Sequence, residues 1–436
     1  MNFQQEYQKK LMTPQEAVGL IQEGDQIYAQ SGAMCPLDCV NEVYRQRDRL
    51  KKVGFLGMLV AHPCELFDPS ANGTIDYATT FFGPYERGAR KAGRNVDYYI
   101  YQLKNVNQVV RDVFKPTVVM LSSPGMDENG NFNLSYNPGD ADDRAREGRL
   151  TIVNVNKNLP YVYSDSCSLN IADVDAVVEM DYEIPEGKGA MPTELENKVA
   201  SYIVERIPNG ATLQIGIGGI SNAVGYSLEN HKNLGIHTEM FVESMYHLMQ
   251  KGAVDNSMKK NYPGKSVLGF AGGSREMLNW MDKNPDILQK SLEWVNDPYI
   301  AGENDNFVSV NACISVDILG QVASESIGPV QFSGTGGQLD FVRAAAVSKG
   351  GKSFIATTSV NVSKDGTRSS KIVFGHAPGT AITTPRTDTQ FIVTEYGVAD
   401  LWNKSASQRA NQMIAIAHPD YRDELTAQAK KAGYIV

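Results

Sequence analysis

The chain has 436 residues, 42% hydrophobic and 21% charged, with a formal net charge of −9. That length suits two domains of ordinary size, and the composition is that of large packed cores rather than a disordered chain. An acidic chain without a basic tract repels nucleic acid and anionic lipid on average. No apolar run is long enough to span a bilayer. The polar N-terminus leads into Thr13-Pro14-Gln15-Glu16 and lacks the apolar core of a signal peptide. The expectation is a cytoplasmic protein with neither nucleic acid nor membrane as partner. Cys35, Cys39, Cys64, Cys167 and Cys313 are odd in number and form no CxxC, which argues against a disulfide framework or a zinc site.

In chain order, Pro14 to Glu23 reads as a helix. Short β-branched and apolar runs beginning at Asp25, Val53, Tyr98, Thr117, Leu150 and Asp175 read as buried strands. Strands alternating with helices predict α/β layers with a largely parallel sheet. The pattern breaks from Asp181 to Pro192, where two prolines and two glycines suggest an interdomain linker. It then restarts with a helix around Ser201 to Arg206. Further strands are predicted at Thr212, Val267, Phe307, Ser353 and Gln390, and a charged helical end from Ser407 to Ala432. Two α/β halves of similar size suggest a duplicated architecture, although no sequence repeat is visible.

Four segments carry candidate chemistry. Gln214 to Asn222 places Gly216, Gly218 and Gly219 between a strand and a helix, where backbone N–H groups can face an anion. Asn222 stands where the third glycine of a dinucleotide fingerprint would fall, so a phosphate or oxyanion loop and a plain tight turn both remain open. Leu234 to Met240 brings Glu239 to the end of an apolar strand beside His237 and Thr238. That carboxylate reads as a base, a nucleophile or a solvated loop glutamate, with Glu243 as a rival. Gln331 to Arg343 holds Gly334, Gly336 and Gly337 ahead of a helix, with Asp340 and Arg343 spaced to pair on its surface. Val393 to Gly397 and Ala417 to Arg422 read as a strand end and a helix–helix connection. No HExxH, GxxxxGK[ST] or GxSxG occurs, and the six histidines show no metal-ligand spacing.

The order of these pieces is specific. The chain resembles the family I coenzyme A transferases, in the branch that holds 4-hydroxybutyrate CoA-transferase, butyryl-CoA:acetate CoA-transferase and acetyl-CoA hydrolase-like proteins. The likeness runs from about Ala190 to the C-terminus. It covers the Gly216 loop, His237-Thr-Glu-Met, Val310 to Val322, Ser333 to Arg343, Thr384-Pro-Arg386, Val393 to Gly397 and Ile416 to Asp420. Ser122 to Gly130 and the Pro160 segment match more loosely. The resemblance implies two α/β domains, residues 1–183 and 190–436, with the active site between them, in a homodimer or larger homo-oligomer.

It also implies roles. Glu239 becomes the catalytic carboxylate. Gly216, Ile217, Gly218, Gly219 and Ile220 become the CoA-binding and oxyanion loop, and Gly334, Gly336 and Gly337 a second one, with Gly337 nearest CoA. Asn311 and Ile314 line the thioester, Lys364 approaches CoA, and Met34 and His62 contribute to the acyl pocket. Coenzyme A is a substrate rather than a bound cofactor, no metal is required, and the partners are an acyl-CoA and a short carboxylate. The implied reaction is ping-pong exchange through a glutamyl-CoA thioester, with 4-hydroxybutyrate or butyrate against acetyl-CoA or acetate as the acid pair. The alternative is an acyl-CoA hydrolase on the same scaffold. Ser221-Asn222, Phe241-Val242-Glu243 and Ala344 depart from the family pattern.

Overall fold

Strands with apolar residues on both faces must be covered on both, and the chain supplies strands buried on both faces in each half. Val118–Ser123 and Leu150–Val155 in the first half and Thr212–Ile215 in the second are buried at every position, as parallel sheets between two helical layers require. The computed structural model describes residues 2–137, 142–187 and 189–436. Lys188, inside the stretch read as a linker, lies outside them. The chain groups into two compact units, Met1–Gly187 with Gly269–Trp294, and Lys188–Leu268 with Val295–Val436. The boundary at Leu268 falls inside the strand Ser266–Ala271.

The first unit is built on seven strands. Their spatial order is Val96–Tyr98, Ile75–Thr79, Val53–Gly57, Gln26–Ala29, Val118–Ser123, Leu150–Val155 and Ala176–Glu179. Every pairing in it is parallel. Alternate residues fill two cores, one on each face. Ile27, Phe55, Met120 and Ile152 point to one, and Tyr28, Leu56, Val119 and Val153 to the other. From the sequence, the run Tyr98 to Tyr101 reads as strand. The strand instead ends at Tyr98, and Ile100 is 77% exposed. Its one partner, Ile75–Thr79, ends opposite Tyr98, and after a last bond from the Tyr99 N–H to Thr79 O at 3.1 Å the ladder has no strand to continue along.

In the second unit the strands run Gly235–Phe241, Thr212–Ile215, Phe307–Ala312, Lys352–Ala356, Phe391–Thr394 and Gly397–Asp400, the last one antiparallel. Thr193 opens the preceding helix, Glu194–Val204, with a capping box to Glu196. The expected C-terminal helix is two, Ala406–Ile416 and Pro419–Lys431. Pro419 lacks an N–H and fits the first helical position, so it starts the second helix rather than continuing the first. His418 caps it by accepting the Asp420 N–H at 3.2 Å, a structural role in keeping with a helix–helix connection.

The strand Gly235–Phe241 is clamped at Ile236. Asn256 Oδ1 accepts the Ile236 N–H at 2.9 Å, and the Lys259 ammonium donates to Ile236 O at 2.7 Å and to Lys265 O at 2.6 Å. A Cβ at Gly235 would lie 2.6 Å from Lys259 Cγ, so the glycine makes room for the lysine stem. Lys259 is only 4% exposed, and burial pushes its ammonium down from 10.5 to about 7. The unfolded chain therefore binds more protons than the folded one between those two values. The folded state gains stability as pH rises through that window and carries the full penalty below it. Urea unfolding of the wild type and Lys259→Met as pH is raised from about 7 toward 10.5 should show the difference moving in favour of the wild type. A difference that stays flat would mean the ammonium titrates in its ordinary range.

Candidate active site

In an open parallel sheet, ligands bind beyond the carboxyl ends of the strands where the strand order reverses direction. In the second unit that point is Thr212–Ile215, with Gly235–Phe241 on one side and Phe307–Ala312 on the other. The first glycine loop, Glu239 and Asn311 all fall at the carboxyl ends of these three neighbours.

After Thr212–Ile215 the chain turns at Gly216, whose N–H donates to Val310 O at 2.8 Å. A Cβ there would lie 3.1 Å from Asn311 Oδ1 and 3.3 Å from Val310 O. Gly218 has φ +117, a conformation closed to other residues, and caps the helix Gly219–Ser227. A side chain at Gly219 would overlap the Glu196 carboxylate. Ile217 is 61% exposed while Ile220 is buried. Ser221 and Asn222 are buried in the first turn of that helix. Asn311 sits in a buried amide cluster. Its Nδ2 donates to Gln214 Oε1 at 3.1 Å and Ser309 Oγ at 2.8 Å, and its Oδ1 accepts from Gln214 Nε2 at 3.3 Å. Ile314 is half-buried just past the strand and donates its N–H to Ala323 O at 2.9 Å.

Glu239 is the fifth residue of Gly235–Phe241 and is partly buried. Asn296 Nδ2 donates to its Oε2 at 2.8 Å, and the Gly337 N–H also donates to its carboxylate. Burial pushes Glu239 up to about 7. Asp340 nearby pushes the same way, while the bonds from Asn296 and Gly337 oppose both. Gly337 caps the helix Gln338–Val347, so the positive end of that helix also lies by the carboxylate. A Cβ at Gly337 would overlap both Glu239 Oε2 and Asn296 Nδ2. Gly336 has φ +64, and Gly334 is buried. Arg343 pairs with Asp388 at 2.8 Å, and Asp340 is buried in the first helical turn, so the surface pairing expected between them is not what the helix presents.

Two sequence neighbours of Glu239 have other roles. His237 is fully buried with Nε2 2.8 Å from Val295 O, and burial pulls it down to about 3, so it is a neutral core histidine. Glu243 begins the helix Glu243–Gln250. Lys364 lies exposed in the turn between Val360–Val362 and Arg368–Ser370.

In the first unit, Met34 is fully buried in the turn Gly32–Met34 that follows Gln26–Ala29. His62 Nε2 is 3.2 Å from Ala33 O, and its ring meets Tyr182 edge-on at 5.6 Å. Burial holds its pKa below the ordinary value. Met34 follows the strand Gln26–Ala29 and His62 follows its neighbour Val53–Gly57, so both lie beyond carboxyl ends at the corresponding switch point of the first sheet. Asn296 was missed by sequence reasoning. Its only local sign is the Asn296-Asp297-Pro298 run, in which Asp297 caps the helix Pro298–Gly302.

The acetyl-CoA hydrolase/transferase N-terminal domain model matches residues 1–185, and the corresponding C-terminal domain model matches residues 273–429. The chain is 36% identical to a succinyl-CoA:cyclohexane-1-carboxylate CoA transferase of Geobacter metallireducens, over 100% of this chain and 98% of that one. It is 33% identical to a 4-hydroxybutyrate coenzyme A transferase of Clostridium kluyveri, over 99% and 100%. The crystal structure of RipA from Yersinia pestis superposes with a TM-score of 0.92 at 32% identity, covering all of both chains. The chain therefore belongs to the acetyl-CoA hydrolase/transferase family and is an enzyme of the coenzyme A transferase type within it.

Proposed function

We propose that this enzyme moves coenzyme A between a short-chain acyl-CoA and a free carboxylate by a ping-pong route through a glutamyl-CoA thioester on Glu239. One observation carries the reading: a partly buried carboxylate at a strand end, held by two neutral donors, the Asn296 amide and the Gly337 N–H. Such a carboxylate is weakly solvated and hence nucleophilic, yet oriented. Relatives named as CoA transferases over their full length support the transfer.

Because Asn296 occupies Oε2, Oε1 is the attacking atom. It adds to the thioester carbonyl, the C–S bond breaks, and CoA leaves as thiolate with the bonding pair, giving a mixed anhydride. The thiolate then attacks the Glu239 carbonyl carbon and expels the donor acid as carboxylate, leaving glutamyl-CoA. The acceptor carboxylate repeats both steps in reverse. No proton is required at any stage, so neither a Ser–His pair nor a metal enters the scheme. As the thiolate adds, negative charge grows on Oε2, where the Asn296 amide already sits, with the Gly337 N–H on the same carboxylate. Aligned donors of this kind contribute roughly 3–4 kcal/mol each. The exposed Gly216–Gly218 turn, at the head of its own helix, suits the oxygen of the acyl carbonyl or the pantetheine arm. Binding the remote nucleotide of CoA would help drive the strained anhydride step.

The acids proposed are 4-hydroxybutyrate or butyrate against acetate. The C. kluyveri relative is named for 4-hydroxybutyrate, and another, 34% identical, is a butyryl-CoA:acetate CoA-transferase of Anaerostipes caccae. The family also contains hydrolases, so the reading to be set against it is thioester hydrolysis at the same carboxylate, with water taking the place of the acceptor acid.

Mixing the protein with butyryl-CoA or acetyl-CoA and trapping with borohydride should leave Glu239 reduced, as seen by peptide mass spectrometry. Consumption of thioester with Glu239 unmodified would sink the covalent route. Consumption at full speed without any acceptor acid would favour hydrolysis. Glu239→Gln should lower kcat on the order of 10⁴-fold. The attacking form is the carboxylate, so kcat should rise with pH through about 7 and level off above it. A profile already flat well below that value would contradict the environment described. Asn296→Ala should cost roughly 100- to 1000-fold in kcat and move the acid limb to higher pH, because a donor to the charged form is lost. Gly337→Ala should cost at least as much in kcat, because the added Cβ would displace the Glu239 carboxylate and the Asn296 amide. A Gly337→Ala enzyme with normal turnover would show that the contact of Gly337 with Glu239 does not matter to the reaction.

A further inference from the structure

The second glycine loop is held by a buried carboxylate that the scheme above does not use. Glu325 is 6% exposed. Its side chain accepts from Gln331 Nε2 at 3.1 Å, Thr335 Oγ1 at 3.0 Å and Thr383 Oγ1 at 3.0 Å. Its backbone carbonyl accepts the N–H groups of Phe332 at 2.7 Å and Ser333 at 3.1 Å. All five donors are uncharged, and they come from three places: the hairpin strand Val330–Gln331, the loop that runs on to Gly337, and the segment around Thr383. Gln331 Nε2 also reaches Ser333 O at 2.6 Å, and Thr383 Oγ1 accepts the Ser324 N–H at 3.0 Å, which closes the cluster on itself. Thr335 stands two residues before Gly337, and no regular element lies between them to fix the loop otherwise. Gly336, at φ +64, is conformationally permissive, so an untethered loop would be free to turn its next N–H away.

We propose that Glu325 is the positioning residue of this loop: by fixing Thr335 and the two N–H groups ahead of it, Glu325 aims the Gly337 N–H at the Glu239 carboxylate. The inference rests on Glu239 being the attacking carboxylate. Glu325 touches no reacting atom and acts through the loop alone.

The test compares Glu325→Gln, Thr383→Val and Thr383→Ser with the wild type, measuring kcat and KM for butyryl-CoA with acetate across pH, together with thermal unfolding. Glu325→Gln replaces one acceptor oxygen by an NH2 group that faces other donors. It should lower kcat roughly 10- to 100-fold, leave KM within about 2-fold, and shift the acid limb of kcat to higher pH as the Gly337 bond to Glu239 weakens. Thr383→Val keeps the shape and removes one donor, so it should move both quantities the same way by less. Thr383→Ser keeps the hydroxyl and should retain the wild-type profile. The proposal is overturned if the variants lose thermal stability while kcat per folded enzyme and the acid limb stay in place, or if Thr383→Val and Thr383→Ser behave alike. Borohydride trapping of the wild type separates the two readings: an unlabelled Glu239 sinks the covalent route, whereas a labelled one with an unmoved pH profile in Glu325→Gln sinks only the role given to Glu325.

Discussion

The second unit depends on one close contact, in which the Glu239 carboxylate, the Asn296 amide and the Gly337 backbone meet with no room for a Cβ between them. A carboxylate so placed gives up much of its hydration and recovers part of it from two neutral dipoles and a helix N-terminus. A cation in the same place would hold the negative charge more firmly and make it a poorer nucleophile. Neutral donors keep it oriented while burial keeps its proton affinity high.

Holding that contact requires rigidity from three directions. The strand that carries Glu239 is pinned three residues earlier, where Asn256 and the buried Lys259 grip both backbone groups of Ile236. Asn296 is fixed ahead of a short helix that Asp297 caps. Gly337 ends a loop without regular structure, the least constrained of the three, and it is there that the Glu325 cluster is found. Buried groups such as Lys259 and Glu325 weaken the fold where they are desolvated and are satisfied only by accurate geometry, a cost that makes sense when a proposed reacting carboxylate sits close by.

Each sheet has its first strand in the middle, the next on one side and a later one crossing to the other. Each therefore creates a crevice at its own carboxyl edge. In the second unit that edge collects Gly216, Glu239 and Asn311, and in the first it collects Met34 and His62. The shared order fits the suggestion of a duplicated architecture, even though the two halves show no repeat in sequence. Strand order depends on which apolar edges pair, and many sequences satisfy it.

Much was legible in the chain itself. Alternating strands and helices established the α/β class, because a parallel sheet needs helical crossovers and strands buried on both faces. The order of Gly216, Glu239 and Gly337 segments pointed to the family, because glycine loops and a strand-end carboxylate are local features that a linear reading can see. What the sequence could not disclose were partners far apart along the chain. Asn296 lies 57 residues from Glu239, and Thr383 58 residues from Glu325. Neither pair has a periodic or spaced signature. The reason for Gly337 was equally hidden: its φ is ordinary, so nothing local demands glycine, and only the two side chains packed against it do. Local propensity determined the elements, and the packing of the folded unit alone decided which polar groups would face the carboxylate and so what chemistry it can support.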